Sequence, residues 1–103
     1  MTFSILMTAC SSEKEAAKIS DALLKKKLAA CVKLSRVKSS YWWNGKITKN
    51  NETLLTILTA KKNSSKLMGF IKKAHSYKVP EIIEIRVSKG DKKYLRWASG
   101  VTE

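Results

Sequence analysis

The sequence predicts an α+β domain of the ferredoxin-like class, with the element order β-α-β-β-α-β and a short helix at the end. Two amphipathic helix patterns alternate with strand patterns, and Asn44-Gly45 joins two long strand-like segments. Asn-Gly is the strongest short-range hairpin signal, because both residues tolerate positive φ. A chain of 103 residues has enough interior for one core and too little for two, so we expect a single domain over 1–103.

The first strand and the first helix are predicted from apolar spacing. Residues 2–9 contain a short apolar run that is typical of a strand buried on both faces. Ser12 and Glu15 have the spacing of a capping box, which predicts that a helix begins there. Its apolar stripe consists of Ala16, Ile19, Leu23, Leu24 and Leu28.

Two long strands are predicted around the hairpin turn. Residues 29–43 are rich in β-branched and aromatic side chains, and we expect a bend near 35–40. The returning strand covers 46–48 and 52–60. Between them, the polar segment 49–51 predicts a bulge or a break in pairing.

The tip of this hairpin predicts contact with another subunit. Arms of roughly 15 residues would extend about 50 Å, and a domain of this size has a radius of gyration near only 13 Å. Exposed aromatic side chains at the tip would favour aggregation unless another chain covers them. Those side chains are Tyr41, Trp42 and Trp43.

The last third of the chain predicts a helix, a strand and a final helix. Asn63 or Ser64 can cap the second helix, which we expect to end around His75-Ser76. Pro80–Val87 is predicted as a strand, since proline is tolerated at a first position. Asp91 can cap the short last helix.

The strongly basic composition does not by itself identify a nucleic-acid-binding protein. The chain has 21 Lys and Arg against 8 Asp and Glu, a formal net charge of +13. Nucleic-acid phosphates attract such a surface, but the basic residues fall in scattered groups with no nucleic-acid-binding motif around them. We therefore expect a lysine-rich solvated surface with weak non-specific adhesion, and no specific nucleic-acid partner.

The remaining composition favours a cytoplasmic protein without a membrane partner. No apolar run is long enough for a transmembrane helix, and the N-terminal region lacks the pattern of a signal peptide. The two cysteines, Cys10 and Cys31, are too few for a disulfide scaffold or a four-cysteine zinc site. We expect both to be free thiols in a reducing compartment.

Several side chains are candidates for chemistry. His75 is the only histidine, so it is either a helix-end residue that bonds the last carbonyls or one ligand of a metal site with partners from elsewhere. Cys10 lies just before a predicted helix N-terminus, which would favour its thiolate form. We therefore expect Cys10 to be the more reactive thiol and Cys31 to be buried. Glu81 is near enough in sequence to join a polar site, or it pairs with a surface lysine.

Five stretches together resemble the CutA divalent-cation tolerance family. They are LAACV at 28–32, SSYWWNGKI at 39–47, ETLLTILT at 52–59, HSYKVPEII at 75–83 and YLRWASG at 94–100. The resemblance spans nearly the whole chain. It implies a ferredoxin-like subunit, a homotrimer, tolerance of copper and other divalent metals, and no established enzymatic reaction.

The resemblance also implies a candidate site and an interface. In some relatives a cysteine at the position of Met7 binds copper with histidines near His75, and the family usually has proline at the position of Cys10. The candidate metal ligands of this chain are therefore His75, Met7, Cys10 and Glu81, and the candidate trimer-interface residues are Tyr41, Trp42, Trp43 and Trp97. The first hypothesis is a copper-binding tolerance protein that is not an enzyme. The alternative is a signalling or scaffold module that binds a small molecule or a protein at clefts between subunits.

Overall fold

A computed structural model describes residues 2–103, which form one antiparallel four-stranded sheet with helices on both faces. The strands are β1 (Phe3–Cys10), β2 (Cys31–Trp43), β3 (Lys46–Ala60) and β4 (Ile83–Val87), in the sheet order β2-β3-β1-β4. The helices are α1 (Glu13–Lys25), α2 (Ser64–Ala74) and α3 (Lys92–Val101). The predicted fold class and element order are confirmed.

Alternate residues of the sheet supply two cores. On β1, Leu6 and Cys10 face α1 and α2, whereas Phe3 and Ile5 face α3, because successive strand residues point to opposite faces. The larger core lies under α1 and α2 and includes Leu6, Ile19, Leu23, Leu55, Ile57, Leu67 and Ile71. The smaller core, under α3, consists of Phe3, Ala30, Leu58 and Ala98.

The predicted helix caps are formed in part. The Ser12 hydroxyl accepts the Glu15 N–H at 3.1 Å, and the Asp91 carboxylate accepts the Tyr94 N–H at 3.0 Å. The other half of the predicted capping box is absent, since the Glu15 carboxylate bonds to Ser76 and Ser11 instead. Asn63 makes no side-chain cap on α2, and its amide nitrogen donates to the Glu103 carbonyl.

The hairpin strands pair without interruption, so the bulge or break predicted at 49–51 is wrong. These residues pair in order with 38–40. Strand β1 pairs only with residues 53–60 of β3, so this part of the hairpin has no third strand beside it. Polar side chains here reflect solvent on both faces rather than a defect in pairing.

The turn of the hairpin has the predicted geometry. Asn44 has φ 50° and Gly45 has φ 75°, which are the positive values that a type I′ turn requires. The hairpin helps to lengthen the molecule to 44 Å, against 26 and 22 Å in the other directions. At its tip, Trp42 is 72% exposed and Trp43 is 54% exposed within the chain.

Strand β4 begins at Ile83, three residues later than predicted. The pair between Met7 and Ile83 is the last of the β1–β4 ladder. Two residues further along β1, the Ala9 carbonyl accepts a hydrogen bond from the His75 ring. The segment after α2 therefore reaches this end of β1, and this contact creates the candidate site.

Candidate metal site at the end of β1

A cysteine and a histidine meet at the end of β1. Cys10 is the last residue of that strand and is fully buried, and His75 is the first residue after α2 and is 8% exposed. The Cys10 Sγ and the His75 Nε2 are 4.0 Å apart, although 65 residues separate them in sequence. The fold thus brings two of the four predicted ligands together.

Hydrogen bonds fix the orientation and tautomer of His75. Its Nδ1 accepts the Tyr77 N–H at 3.1 Å, so Nδ1 carries no proton. The Nε2–H then donates to the Ala9 carbonyl at 2.9 Å. The ring is a neutral imidazole that links β1 to the turn after α2, and any metal bound at Nε2 has to replace the bond to Ala9.

Burial keeps the Cys10 thiol protonated. Loss of solvent raises the pKa of Cys10 to about 11, and the carboxylates of Glu15 and Glu52 add to the increase. The expectation that the helix N-terminus would make Cys10 the more reactive thiol is therefore wrong. The field of a helix end is smaller than the cost of burying a thiolate beside two negative charges.

Glu15 connects α1 to the segment that carries His75. Its carboxylate accepts the Ser76 N–H at 2.7 Å and the Ser76 hydroxyl at 3.1 Å. Partial burial raises the pKa of Glu15, but the two bonds from Ser76, together with the neighbouring His75 and Ser11, lower the pKa overall. The ionised form of Glu15 therefore stabilises the position of the residue next to His75.

Tyr77 extends the network to β3. Its hydroxyl donates to Glu52 Oε2 at 2.9 Å, and its ring centroid lies 4.9 Å from that of His75. Burial and the neighbouring Glu52 carboxylate raise the pKa of Tyr77 to about 12, so the phenol is a hydrogen-bond donor at neutral pH. Glu15 and Glu52 were not predicted as site residues, because long-range contacts bring them there. In the β1–β3 register Cys10 pairs with Thr53, which places Glu52 next to this pair. Glu15 reaches the site through its bond with Ser76.

The other two predicted ligands lie elsewhere. Met7 is three residues before Cys10 on β1, so its side chain points to the opposite face of the sheet. Glu81 is exposed in the connection before β4. Within residues 2–103, no three His, Cys, Asp or Glu side chains converge where they could hold a metal ion.

A groove of about 490 Å³ lies beside this network, between the start of α1 and the base of the hairpin. Arg36 and Glu13 form an ion pair on its wall. Glu52, the partner of the Tyr77 hydroxyl, also lines it. Glu52 therefore links the groove to the residues around His75.

The predicted interface residues are exposed in the single chain. Tyr41, Trp42 and Trp43 stand at the hairpin tip, and Trp97 lies on α3 next to Tyr94, with ring centroids 5.6 Å apart. The edge strand β4 exposes two further apolar side chains, Ile83 and Ile85. They share the α3 face of the sheet, since they pair with Met7 and Ile5 of β1.

Comparison with known proteins assigns the family. The family model described as CutA1 divalent ion tolerance protein matches residues 4–100. The chain belongs to the CutA1 family. It is 40% identical over 95 residues to Protein CutA of Mus musculus, covering 91% of this chain and 54% of that protein. It is 38% identical over 99 residues to the divalent-cation tolerance protein CutA of Archaeoglobus fulgidus, covering 96% of each.

Solved CutA structures have the same fold. The structure described as the periplasmic divalent cation tolerance protein CutA from Archaeoglobus fulgidus matches with a TM-score of 0.95 at 34% identity, covering 98% of this chain and 99% of that one. CutA1 from Oryza sativa matches with a TM-score of 0.96 at 30% identity, covering 100% and 95%. The predicted CutA resemblance is confirmed, and the chain spans about half the length of the mammalian relatives it matches.

No helix within residues 2–103 is long and apolar enough to cross a membrane.

Proposed function

We propose that this CutA chain is a homotrimeric divalent-cation tolerance protein whose metal contact centres on His75 and Cys10. The observation that carries the proposal is the 4.0 Å separation of the Cys10 Sγ and the His75 Nε2. The family description, and the relatives that are named divalent-cation tolerance proteins, support the same function.

The chemistry of the two donors fits copper or another transition metal rather than magnesium or calcium. Thiolate and imidazole are ligands for copper and zinc, whereas magnesium and calcium prefer oxygen. Binding has to displace the thiol proton of Cys10, so affinity depends on pH. Within residues 2–103, one chain brings these two soft donors together at this point, and the remaining coordination positions require water or another subunit.

The apolar surface supports the trimer. Exposed Trp43 at the hairpin tip, Ile85 on β4 and Trp97 on α3 are large side chains that a second copy would remove from water. The tip residues stand beyond the part of β3 that pairs with β1, so no other element of the described chain covers them. A closed ring of three chains would cover these surfaces without leaving an open edge.

The proposed role is metal binding rather than catalysis. We place this role in the cytoplasm and assign it to a single domain over 1–103. A catalytic cysteine requires a thiolate, and the buried Cys10 thiol has a pKa near 11. Cys10 and Cys31 are both free thiols, as a reducing compartment would keep them. Fractionation of source cells tests the location, and recovery of the protein with periplasmic material would contradict it.

A calorimetric copper titration of metal-free protein, with and without reductant, tests the metal role. We expect saturable binding near one ion per chain, and at least tenfold weaker binding in His75→Ala, which corresponds to about 1.4 kcal/mol. Cys10→Ser should weaken binding in the same direction. Met7→Leu is the matched control, since Met7 lies on the opposite face and leucine preserves most of its volume.

Two outcomes would contradict the metal role. One is a titration that His75→Ala leaves unchanged. The other is an affinity of the unmodified protein no tighter than about 1 mM.

The groove beside the network favours a second candidate function, namely binding of a small molecule or a partner protein between subunits. It is lined by Arg36, Lys38 and Asn51 of the hairpin and by Ser11 and Ser12 before α1. A screen of small molecules by thermal unfolding tests this candidate. A ligand that raises the melting temperature when copper does not, and that fails to do so in Arg36→Ala, would support it over the metal role.

A further inference from the structure

The positive charge of the chain is largely unpaired within the chain. Residues 2–103 contain two ion pairs, which engage Arg36 with Glu13 and Lys61 with Glu84. Two of the other acidic side chains, Glu15 and Glu52, accept hydrogen bonds from Ser76 and Tyr77. Most of the lysine charge therefore faces solvent.

Six of these exposed lysines lie on α1 and α2. They are Lys14, Lys18, Lys25, Lys66, Lys72 and Lys73, which we call the helix-layer lysines. Lys14, Lys18 and Lys25 stand on one side of α1, at spacings of four and seven residues, and the exposed Asp21 lies among them. Helix α2 contains no Asp or Glu at all.

The two helices form one surface. Ile19 of α1 and Leu67 and Ile71 of α2 belong to the same buried cluster against the sheet. At the end of α1, the Lys26 Nζ lies 5.4 Å from the centre of the Phe70 ring of α2. The helix-layer lysines of both helices therefore contribute to a single electrostatic field.

This surface has the features of a phosphate-binding face rather than a membrane or self-association face. Of the large exposed apolar side chains described for the chain, only Leu24 lies on α1 or α2. Insertion into a bilayer needs an apolar face, and burial between copies needs one as well. Lysine is a point charge suited to phosphate oxygens, and without arginine on these helices there is no bidentate base readout.

We propose that the helix-layer lysines bind the phosphate backbone of nucleic acid without sequence preference. This inference is independent of the metal site. Helix α1 has 13 residues and is about 20 Å long, which matches about six phosphates of one strand at 3.4 Å spacing. Contacts to about five phosphates would give a salt slope near −4.5, so that affinity falls about 500-fold between 50 and 200 mM salt.

Fluorescence anisotropy with a labelled 20-base-pair duplex of random sequence tests the proposal. The test variant is the triple change Lys18→Glu, Lys66→Glu and Lys73→Glu. The matched control is Lys89→Glu, Lys92→Glu and Lys93→Glu, which lowers the net charge equally at sites outside α1 and α2. We expect at least tenfold weaker binding and a shallower salt slope in the test variant, with less than a threefold change in the control.

A glutamine variant and two folding controls separate the loss of lysine charge from misfolding and from added negative charge. The same three helix-layer positions changed to glutamine should also weaken binding, and circular dichroism and size-exclusion chromatography should match the unmodified protein for every variant. Equal losses in both glutamate variants would overturn the proposal, because net charge alone would then explain binding. Tighter binding to vesicles of phosphatidylcholine and phosphatidylserine than to the duplex at the same salt would also overturn the proposal. The absence of any binding to the duplex at 50 mM salt would overturn it too.

Discussion

At the scale of single residues, hydrogen bonds set the tautomer of His75, and burial sets the protonation of Cys10. His75 holds a proton on Nε2 because the backbone N–H of Tyr77 occupies Nδ1. Cys10 holds a proton on sulfur because its surroundings are apolar and its nearest charges are carboxylates. Both donors are thus neutral before any metal binds, and copper has to compete with a proton at each of them.

The thiol of Cys10 should resist alkylation at neutral pH. In a Cys31→Ser variant, Cys10 is the remaining thiol, and its pKa is raised from 9.0 to about 11. The protonated form is favoured by the fold, so its contribution to stability is complete below pH 9 and is lost as the pH rises towards 11. We expect a slow reaction with iodoacetamide at pH 8 that accelerates above pH 9 and becomes fast in urea. A rate that is already maximal at pH 8 in the folded protein would contradict the burial argument.

At the scale of elements, the segment between α2 and β4 is attached at three points. His75 bonds to β1, Ser76 bonds to Glu15 of α1, and Tyr77 bonds to Glu52 of β3. Three consecutive residues thus contact three different elements. These three contacts hold His75 in place beside Cys10.

Replacing Glu15 should loosen this attachment. Glu15→Gln removes a charged acceptor from Ser76, for which we expect a loss of about 1 kcal/mol in the free energy of unfolding at pH 7. The folded-state pKa of Glu15 is lowered, so its stabilisation is present above the usual value of 4.5 and disappears as the pH falls through the folded value. Urea unfolding from pH 7 to pH 3 should therefore show the two proteins converging in acid.

Glu13→Gln is the control for this experiment. Glu13 is also at the start of α1, but its pair with Arg36 is exposed, and exposed pairs contribute little. The unfolding midpoint of this variant should stay close to that of the unmodified protein. An equal loss in both variants would mean that charge at the helix N-terminus, rather than the bond to Ser76, is responsible.

Elements that depend on local spacing could be predicted from the sequence. Asn44-Gly45 predicted the hairpin turn, and Ser12 and Asp91 predicted the starts of α1 and α3. Each of these residues forms its turn or cap with residues no more than three positions away. The pairing across 49–51 was not predictable, because solvent on both faces removes the alternation that marks a strand.

The candidate site was predictable only in part. Cys10 and His75 were expected as ligands by resemblance and by residue type, and their meeting depends on a contact across 65 residues. Met7 was expected beside them, but the period of two along β1 turns it to the other face. Glu15 was expected in a local capping box, and the long-range bond from Ser76 proved the stronger competitor.

At the scale of the whole molecule, most of the large exposed apolar side chains lie outside the helix layer formed by α1 and α2. The helix-layer lysines lie on one side of the sheet, while the exposed Ile83, Ile85 and Trp97 lie on β4 and α3. The proposed association of three copies through β4, α3 and the hairpin tip would therefore leave the helix-layer lysines in solvent.

Removing the aromatic tip should weaken the trimer. Light scattering of the unmodified protein should give the mass of three chains of 11.6 kDa. The double change Trp42→Ser and Trp43→Ser should shift the protein towards single chains, because both side chains are more than half exposed within one chain and contribute little to its own core. Lys46→Ser, a neighbouring exposed change without apolar loss, should leave the mass unaltered. A single-chain mass for the unmodified protein would refute the proposed assembly.

The most direct test of the central claim, that Cys10 and His75 share a metal ion, is an X-ray absorption spectrum of the copper-loaded protein under reducing conditions. We expect both sulfur and imidazole nitrogen in the first coordination shell, with the sulfur lost in Cys10→Ser and retained in Met7→Leu. A shell of nitrogen and oxygen alone, identical in the unmodified protein and in Cys10→Ser, would contradict it.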